Sequence, residues 1–247
     1  MASKCILVNQ ELTNYLIFAL PIYLVELLAA IAGSLYLKKV PTHNISTKHF
    51  VWFLWFTVTV EAIGTYAPIA YFEGFHFFAF LKGTVIEDSE WIYNIYSLIN
   101  ASFFIYYFRF LIKNELWRAV LKYLLVFFII TSILKLALGN EFFNEESKYV
   151  NLGGTFLVFF SIVLFYFELL KSDMLLNLKR YLPLYISIGV LVFLLCMTPL
   201  SIFTEYFNQK NSSFVKFRSH FYLYSNLFLY TLFILGFYIC SRKTKYS

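Results

Sequence analysis

Charge is scarce in this chain. Only 14% of its 247 residues are Asp, Glu, Lys or Arg, against 60% hydrophobic residues, a balance outside the soluble range and typical of membrane proteins. Histidine is scarcer still. His43, His49, His76 and His220 fall in loops or at the ends of apolar stretches, which leaves no pair of mid-membrane haem ligands. The three cysteines, Cys5, Cys196 and Cys240, lie at three different depths and cannot pair without a rearranged bundle. No HExxH, GxSG or glycine-rich phosphate loop occurs, and no His-acid cluster offers a zinc site. Metal-dependent and serine proteolysis within the membrane are thereby set aside. The last apolar stretch carries no lysine, so a retinal Schiff base has no anchor. No cofactor, no metal and no catalytic residue is assigned from the sequence.

What the chain does have is seven long apolar stretches, read as 15–37, 50–72, 91–113, 116–138, 149–171, 183–206 and 219–240. Each is long enough, at about 1.5 Å of rise per residue, to cross an apolar layer about 30 Å thick. Runs such as LLVFFIITSIL (124–134) do not alternate, which argues against a β-barrel. The expected fold class is therefore all-α: a polytopic membrane protein, one bundle of seven transmembrane helices with its N-terminus outside and its C-terminus cytoplasmic. The first stretch lacks the arrangement of a removable signal and is expected to remain in the mature protein. The linkers are short, and no soluble domain is expected between the spans.

The orientation follows from the basic residues. Lys38, Lys39, Lys48, Arg109, Lys113, Arg118, Lys122, Lys171, Lys179, Arg180, Arg242, Lys243 and Lys245 fall on one side, 13 of the 20, and that side is expected to be cytoplasmic. Lys4, Lys82, Lys148, Lys210, Lys216 and Arg218 fall on the other. Glu73, Glu87, Asp88, Glu90, Glu141, Glu145, Glu146 and Glu205 gather in or beside the outer loops. The net charge of +6 is thus a topology signal, and no nucleic-acid partner is implied. Trp52, Trp55, Trp91 and Trp117 lie near span ends, where amphipathic rings prefer the interface. Lys135 and Glu168 lie within snorkelling reach of water. The longest outer segment, 73–90, has an aromatic half (EGFHFFAFL) and an acidic half (IEDSE); it reads as an interfacial anchor, with a partial lid as the alternative. No internal repeat of the transporter kind is visible.

Two glutamates lie near the centres of apolar stretches, and a carboxylate in hydrocarbon is costly enough to require a partner or a role. Glu26 shares a helical face with Ala29, Ala30, Gly33 and Leu37, small residues that admit a neighbouring helix. The pairs Ala29 with Gly33 and Ala30 with Ser34 fit either a dimer face or packing within the chain; Glu26 beside them favours the second. Glu61 shares a stripe with Thr57, Gly64, Thr65 and Pro68, where Pro68 frees a backbone carbonyl one turn earlier. A short loop joins the two spans, so the two carboxyls are expected at one depth, within reach of each other or of Asn100. Two carboxyls that close would not both carry charge. Tyr93, Tyr96, Ser97, Asn100 and Tyr107 add a polar side to the third span, and Tyr222, Ser225, Asn226 and Tyr230 to the seventh. The candidate ligand-binding residues are Glu26, Glu61, Tyr96, Asn100, Asn226 and Tyr230, lining a polar cavity that opens outward. Three roles fit them: hydrogen-bond glue between helices, a ligand pocket, or a proton relay.

The runs VELLAAIAGSLYLKK (25–39), VWFLWFTVTVEAIGTY (51–66), YNIYSLIN (93–100), YFELL (166–170) and NLFLYTLFILGFYIC (226–240) resemble an uncharacterised group of small seven-helix inner-membrane proteins of Gram-negative bacteria. The resemblance implies an inner-membrane location and carries no activity. Three functions remain, in descending order. The first is a non-enzymatic protein that senses a small-molecule ligand or supports a membrane-protein partner. The second is a small secondary transporter, proton-coupled through Glu26 and Glu61. The third is an intramembrane lipid-modifying enzyme. The lipid bilayer is the partner common to all three.

Overall fold

The structure, a computed structural model, describes residues 2–40, 44–172, 178–206 and 212–242, with backbone alone for 2–11, 14, 203–206, 212 and 213. His43, Lys210, Lys243 and Lys245 lie outside the described residues, as do the side chains of Lys4, Cys5 and Glu205. The described residues form helices joined by turns, with no strand among them. In chain order the helices are α1 (Ala2–Lys39), α2 (Ile45–Gly64), α3 (Tyr66–Phe72), α4 (Glu90–Leu111), α5 (Glu115–Leu138), α6 (Glu141–Asn144), α7 (Lys148–Leu170), α8 (Leu182–Tyr206) and α9 (Ser212–Cys240).

Six stretches are long and apolar enough to cross a membrane: Tyr15–Lys39, Ile45–Phe72, Glu115–Leu138, Lys148–Leu170, Leu182–Ile202 and Phe214–Cys240. The chain is thus a multi-pass membrane protein built from helices, the only open-ended element that satisfies its own backbone groups in lipid. The expected third span, α4, is long enough but too rich in Tyr, Asn and Ser to meet the same measure of apolarity. The expected second span is one apolar stretch, Ile45–Phe72, with a one-residue turn at Thr65, where the Thr65 N–H still donates to the Glu61 carbonyl at 3.2 Å and the Thr65 carbonyl accepts from the Ile69 N–H at 3.1 Å. Pro68 has no N–H for the carbonyl of Gly64, and a turn at Thr65 separates α2 from α3. The first helix is longer than the apolar stretch 15–37 and starts at Ala2.

The chain divides into two compact units, 1–58 with 172–247, and 59–171. In the first, α9 packs against both α1 and α8. Phe18 meets His220 edge-on at 5.0 Å and Tyr36 meets Phe237 at 5.6 Å, so α1 and α9 run parallel. The start of α2 joins them through Phe50, fully buried and 5.0 Å from Phe233. Gly33 is what lets these three helices approach: a methyl added there would stand 2.8 Å from Val51 Cγ2 and 3.0 Å from Phe237 Cζ. Ala29 and Ala30 are buried completely on the same side. The small-residue face of α1 is therefore used inside the chain, and the dimer alternative loses its surface.

In the second unit α4 packs along α5 and α7. Asn94 meets Ser147 at one end, Ala101 lies against Gly154 at the middle, and Phe108 is 5.6 Å from Phe165 towards the other end, so α4 and α7 run parallel. Tyr149 donates to Thr131 and Trp117 packs edge-on against Phe160, which makes α5 antiparallel to α7. The tight turn between α4 and α5 is set by Asn114, whose Oδ1 accepts from the backbone N–H groups of Leu116 and Trp117. Tyr123, Phe127, Ile130, Leu134 and Leu138 leave α5 with an exposed apolar face, as lipid contact requires. Lys135 does more than snorkel: its Nζ is 3.1 Å from Glu141 Oε1.

Candidate functional site

The six candidate residues divide evenly between the units. Glu26, Asn226 and Tyr230 belong to the first; Glu61, Tyr96 and Asn100 belong to the second.

In the first unit the polar groups are closed off. Glu26 is 4% exposed, among Ala29, Ala30 and Gly33. The parallel register fixed by the Phe18–His220 and Tyr36–Phe237 contacts sets residue 26 level with residues 226–230 of α9. Ser225, Asn226 and Tyr230 are all buried at that level. The Asn226 Nδ2 donates to the Tyr222 carbonyl at 2.9 Å, which turns the amide along its own helix. Tyr230 stands edge-on to Phe233 at 5.8 Å. The carboxyl, amide and phenol expected from the sequence thus lie at one level of this unit, each of them buried. Trp55 Nε1 donates to Ser34 Oγ at 2.9 Å, while Ser34 Oγ donates in turn to the Ala30 carbonyl.

In the second unit the carboxyl is less enclosed. Glu61 is half-buried, and its Oε2 accepts a hydrogen bond from Tyr93 Oη at 3.2 Å. The phenol ring lies across Gly64, where an added methyl would come within 2.6 Å of Tyr93 Oη. Glycine at 64 is therefore what allows Tyr93 to reach Glu61. The contact sits four residues before the turn at Thr65, whose Oγ1 donates to the Ala62 carbonyl at 2.7 Å. Tyr96, Ser97 and Asn100 continue along α4 from Tyr93, each half-buried. Tyr107, placed on the same side by the sequence, instead belongs to the core, buried and stacked on Phe103 at 6.1 Å.

Sequence reasoning missed Asn94. It is 1% exposed, and its Nδ2 donates to the carbonyls of Phe142 at 3.1 Å and Glu145 at 2.9 Å, with a longer contact to that of Glu141. Its Oδ1 accepts from the N–H of Ser147 at 2.8 Å. One amide thus ties together the end of α6 and the start of α7. Lys135 and Ser147 both donate to Glu141, in that order of effect holding its carboxyl below the usual carboxylate range. Nearby, burial pushes the Glu90 carboxyl up, and the charges of Glu146 and Asp88 push the same way. Among the described residues no group of three or more His, Cys, Asp or Glu side chains is arranged to hold a metal ion.

No protein-family model matches the chain, and no curated protein or solved structure does. The chemistry of both sets of groups is therefore read from their geometry: hydrogen-bond donors and acceptors in apolar surroundings, closed in one unit and half-open in the other.

Proposed function

We propose that this chain is a seven-span protein of a bacterial inner membrane, N-terminus outside and C-terminus cytoplasmic. In this reading it senses a small ligand or supports a membrane-protein partner and catalyses no reaction. Three observations support the seventh crossing and the orientation. A chain that crosses seven times has its first and last helices parallel, as α1 and α9 are. The α4 helix runs beside α5 and α7 from Asn94 to Phe108, so it shares their path despite its polar side. Within the second unit, Glu73, Glu87, Asp88, Glu90, Glu141, Glu145 and Glu146 gather at one end, and Arg109, Lys113, Arg118 and Lys122 at the other, the asymmetry that sets basic ends inside.

The function rests on Glu61. A half-buried carboxyl in the middle of an apolar helix must meet lipid, water or a bound group, and lipid is the costliest of the three. Tyr93 satisfies one oxygen. The remaining capacity, with Tyr96 and Asn100 farther along α4, suits a small polar ligand or a partner's polar side chain. The turn at Thr65, where Pro68 leaves the Gly64 carbonyl without a helical donor, offers a bend through which occupancy alters the second span. Glu26, Asn226 and Tyr230 then form a second, closed set.

A Gly64→Ala variant tests this without removing any polar group, because the added methyl displaces Tyr93 from Glu61. The variant should insert normally and fail to restore the phenotype of a deletion strain; full restoration contradicts the reading. The same carboxyl-phenol contact beside a helix break also favours a second reading, proton-coupled transport. Proton flux into liposomes that depends on Glu61 would select that reading over sensing.

A further inference from the structure

We infer that the segment 73–89 docks into the interfacial layer of the membrane that its own helices cross. Phe77 and Phe80 enter the acyl boundary of the adjacent leaflet, while the edge carrying Glu87 and Asp88 stays in water. This inference is independent of the function proposed for Glu61.

The segment has no helix of its own, yet it is held firmly at both ends. The α3 helix stops in a Schellman arrangement: the N–H of Phe75 donates to the Ala70 carbonyl at 2.8 Å and that of Gly74 to the Tyr71 carbonyl at 3.1 Å. Gly74 takes the left-handed conformation such a stop requires, with φ of 65°. Phe75 takes it too, with φ of 64°, which is rare and strained for a bulky residue and turns the chain sharply away from the helix axis. At the far end Tyr66 Oη lies 2.7 Å from both the Ile86 and the Asp88 carbonyl oxygens, which share its one proton, and accepts from Trp91 Nε1 at 3.0 Å. Gly83 N–H donates to Glu87 Oε2, closing the acidic half upon itself. Leu81 is 5% exposed and anchors the middle.

On this fixed frame Phe77 is 80% exposed and Phe80 71% exposed. Water is a poor environment for two phenyl rings held outward, and a surface loop has no packing reason to hold them there. The lipid-facing surface of the second span supplies the occupant by continuity, since Ile69 and Tyr71 on α3 are exposed immediately before the turn. Phe77 is five steps along the chain from Phe72, a reach of at most about 18 Å, so the rings cannot leave the neighbourhood of the bilayer surface. Lys82, 6.0 Å from the Phe75 ring, sits between the apolar and acidic halves, where a headgroup phosphate lies. The acidic edge is repelled by anionic lipid, so insertion is driven by the apolar rings and tolerates salt.

Spin labels at single cysteines test this in phosphatidylethanolamine–phosphatidylglycerol nanodiscs, in a chain whose native cysteines are replaced by serine. Labels at 77 and 80 should be open to oxygen and shielded from a water-soluble nickel complex, with the opposite pattern at 87. Equal access of the nickel complex at all three positions overturns the inference. So does shielding from both reagents at 77 and 80, which means that protein covers the rings. The unaltered chain gives an independent check. A photoactivatable phospholipid should label the peptide containing Phe77 and Phe80 and leave 84–88 unlabelled; labelling of neither, or of both alike, also overturns it.

Discussion

Glu26 and Glu61 both sit near the centre of an apolar stretch with small residues beside them, and the two units of the molecule treat them differently. In the first unit α9 runs parallel to α1, and the carboxyl is sealed at the level of Asn226 and Tyr230. In the second, Glu61 stays half-open, held by one phenol, four residues before the turn at Thr65. A carboxyl sealed among helices can serve packing alone. One that remains accessible beside a deformable turn is positioned to respond to something that binds. The difference comes from what each helix meets. Gly33 brings α1 close against Val51 and Phe237, whereas Gly64 admits only the tip of the Tyr93 side chain.

The largest stability effect should come from neither glutamate. Asn94→Ala leaves the buried Ser147 N–H and the carbonyls of Phe142 and Glu145 without their partner. At about 1–3 kcal/mol for each unsatisfied group, the second unit should lose about 3 kcal/mol, read as a lower midpoint in thermal or denaturant unfolding. A midpoint unchanged from the parent would mean that this end of the unit is held by something else. Next comes Glu26→Leu, expected to cost about 0.6–2 kcal/mol as interhelical hydrogen bonding is lost, while Glu26→Gln, which keeps a donor and an acceptor, should cost almost nothing. Equal losses for both would show that the sealed carboxyl matters for its charge, and the contrast between the units would blur.

Tyr93→Phe removes a single partly buried bond and should cost about 0.6 kcal/mol while impairing the phenotype more than its stability change predicts. The smallest effect belongs to Glu141→Gln, which at neutral pH should cost less than about 1 kcal/mol because the pair with Lys135 is partly exposed. The Glu141 carboxyl is held below the usual carboxylate range, so its contribution is present above the unfolded value and fades as pH falls through the folded one. Parent and variant should therefore converge in stability in acid; a gap that widens as pH drops contradicts the assignment.

Six of the seven expected spans were legible because an apolar run of sufficient length leaves a chain few alternatives. Glu26 on the small-residue face of α1 was legible for the same kind of reason, since helical periodicity fixes which residues share a face. The turn at Thr65 was legible in Pro68, which has no N–H for the carbonyl one turn earlier. Partner choice was not legible. Periodicity put Tyr93 and Asn100 on one side of α4 without telling which would bond Glu61. Asn94 lay one residue off that stripe, and its partners, some fifty residues along the chain, are backbone groups that no side-chain pattern reveals. The extension of α1 back to Ala2 escaped because residues 2–14 are too mixed to register as apolar.

The central claim is that the half-open carboxyl carries the function and the sealed one the packing. Glu61→Gln and Glu26→Gln, expressed side by side in a deletion strain, test it most directly, with membrane insertion and unfolding midpoint measured alongside the phenotype. The account predicts that both variants insert and unfold like the parent, that Glu26→Gln restores the phenotype in full, and that Glu61→Gln does not. Full restoration by Glu61→Gln, or its loss with Glu26→Gln alone, would contradict it.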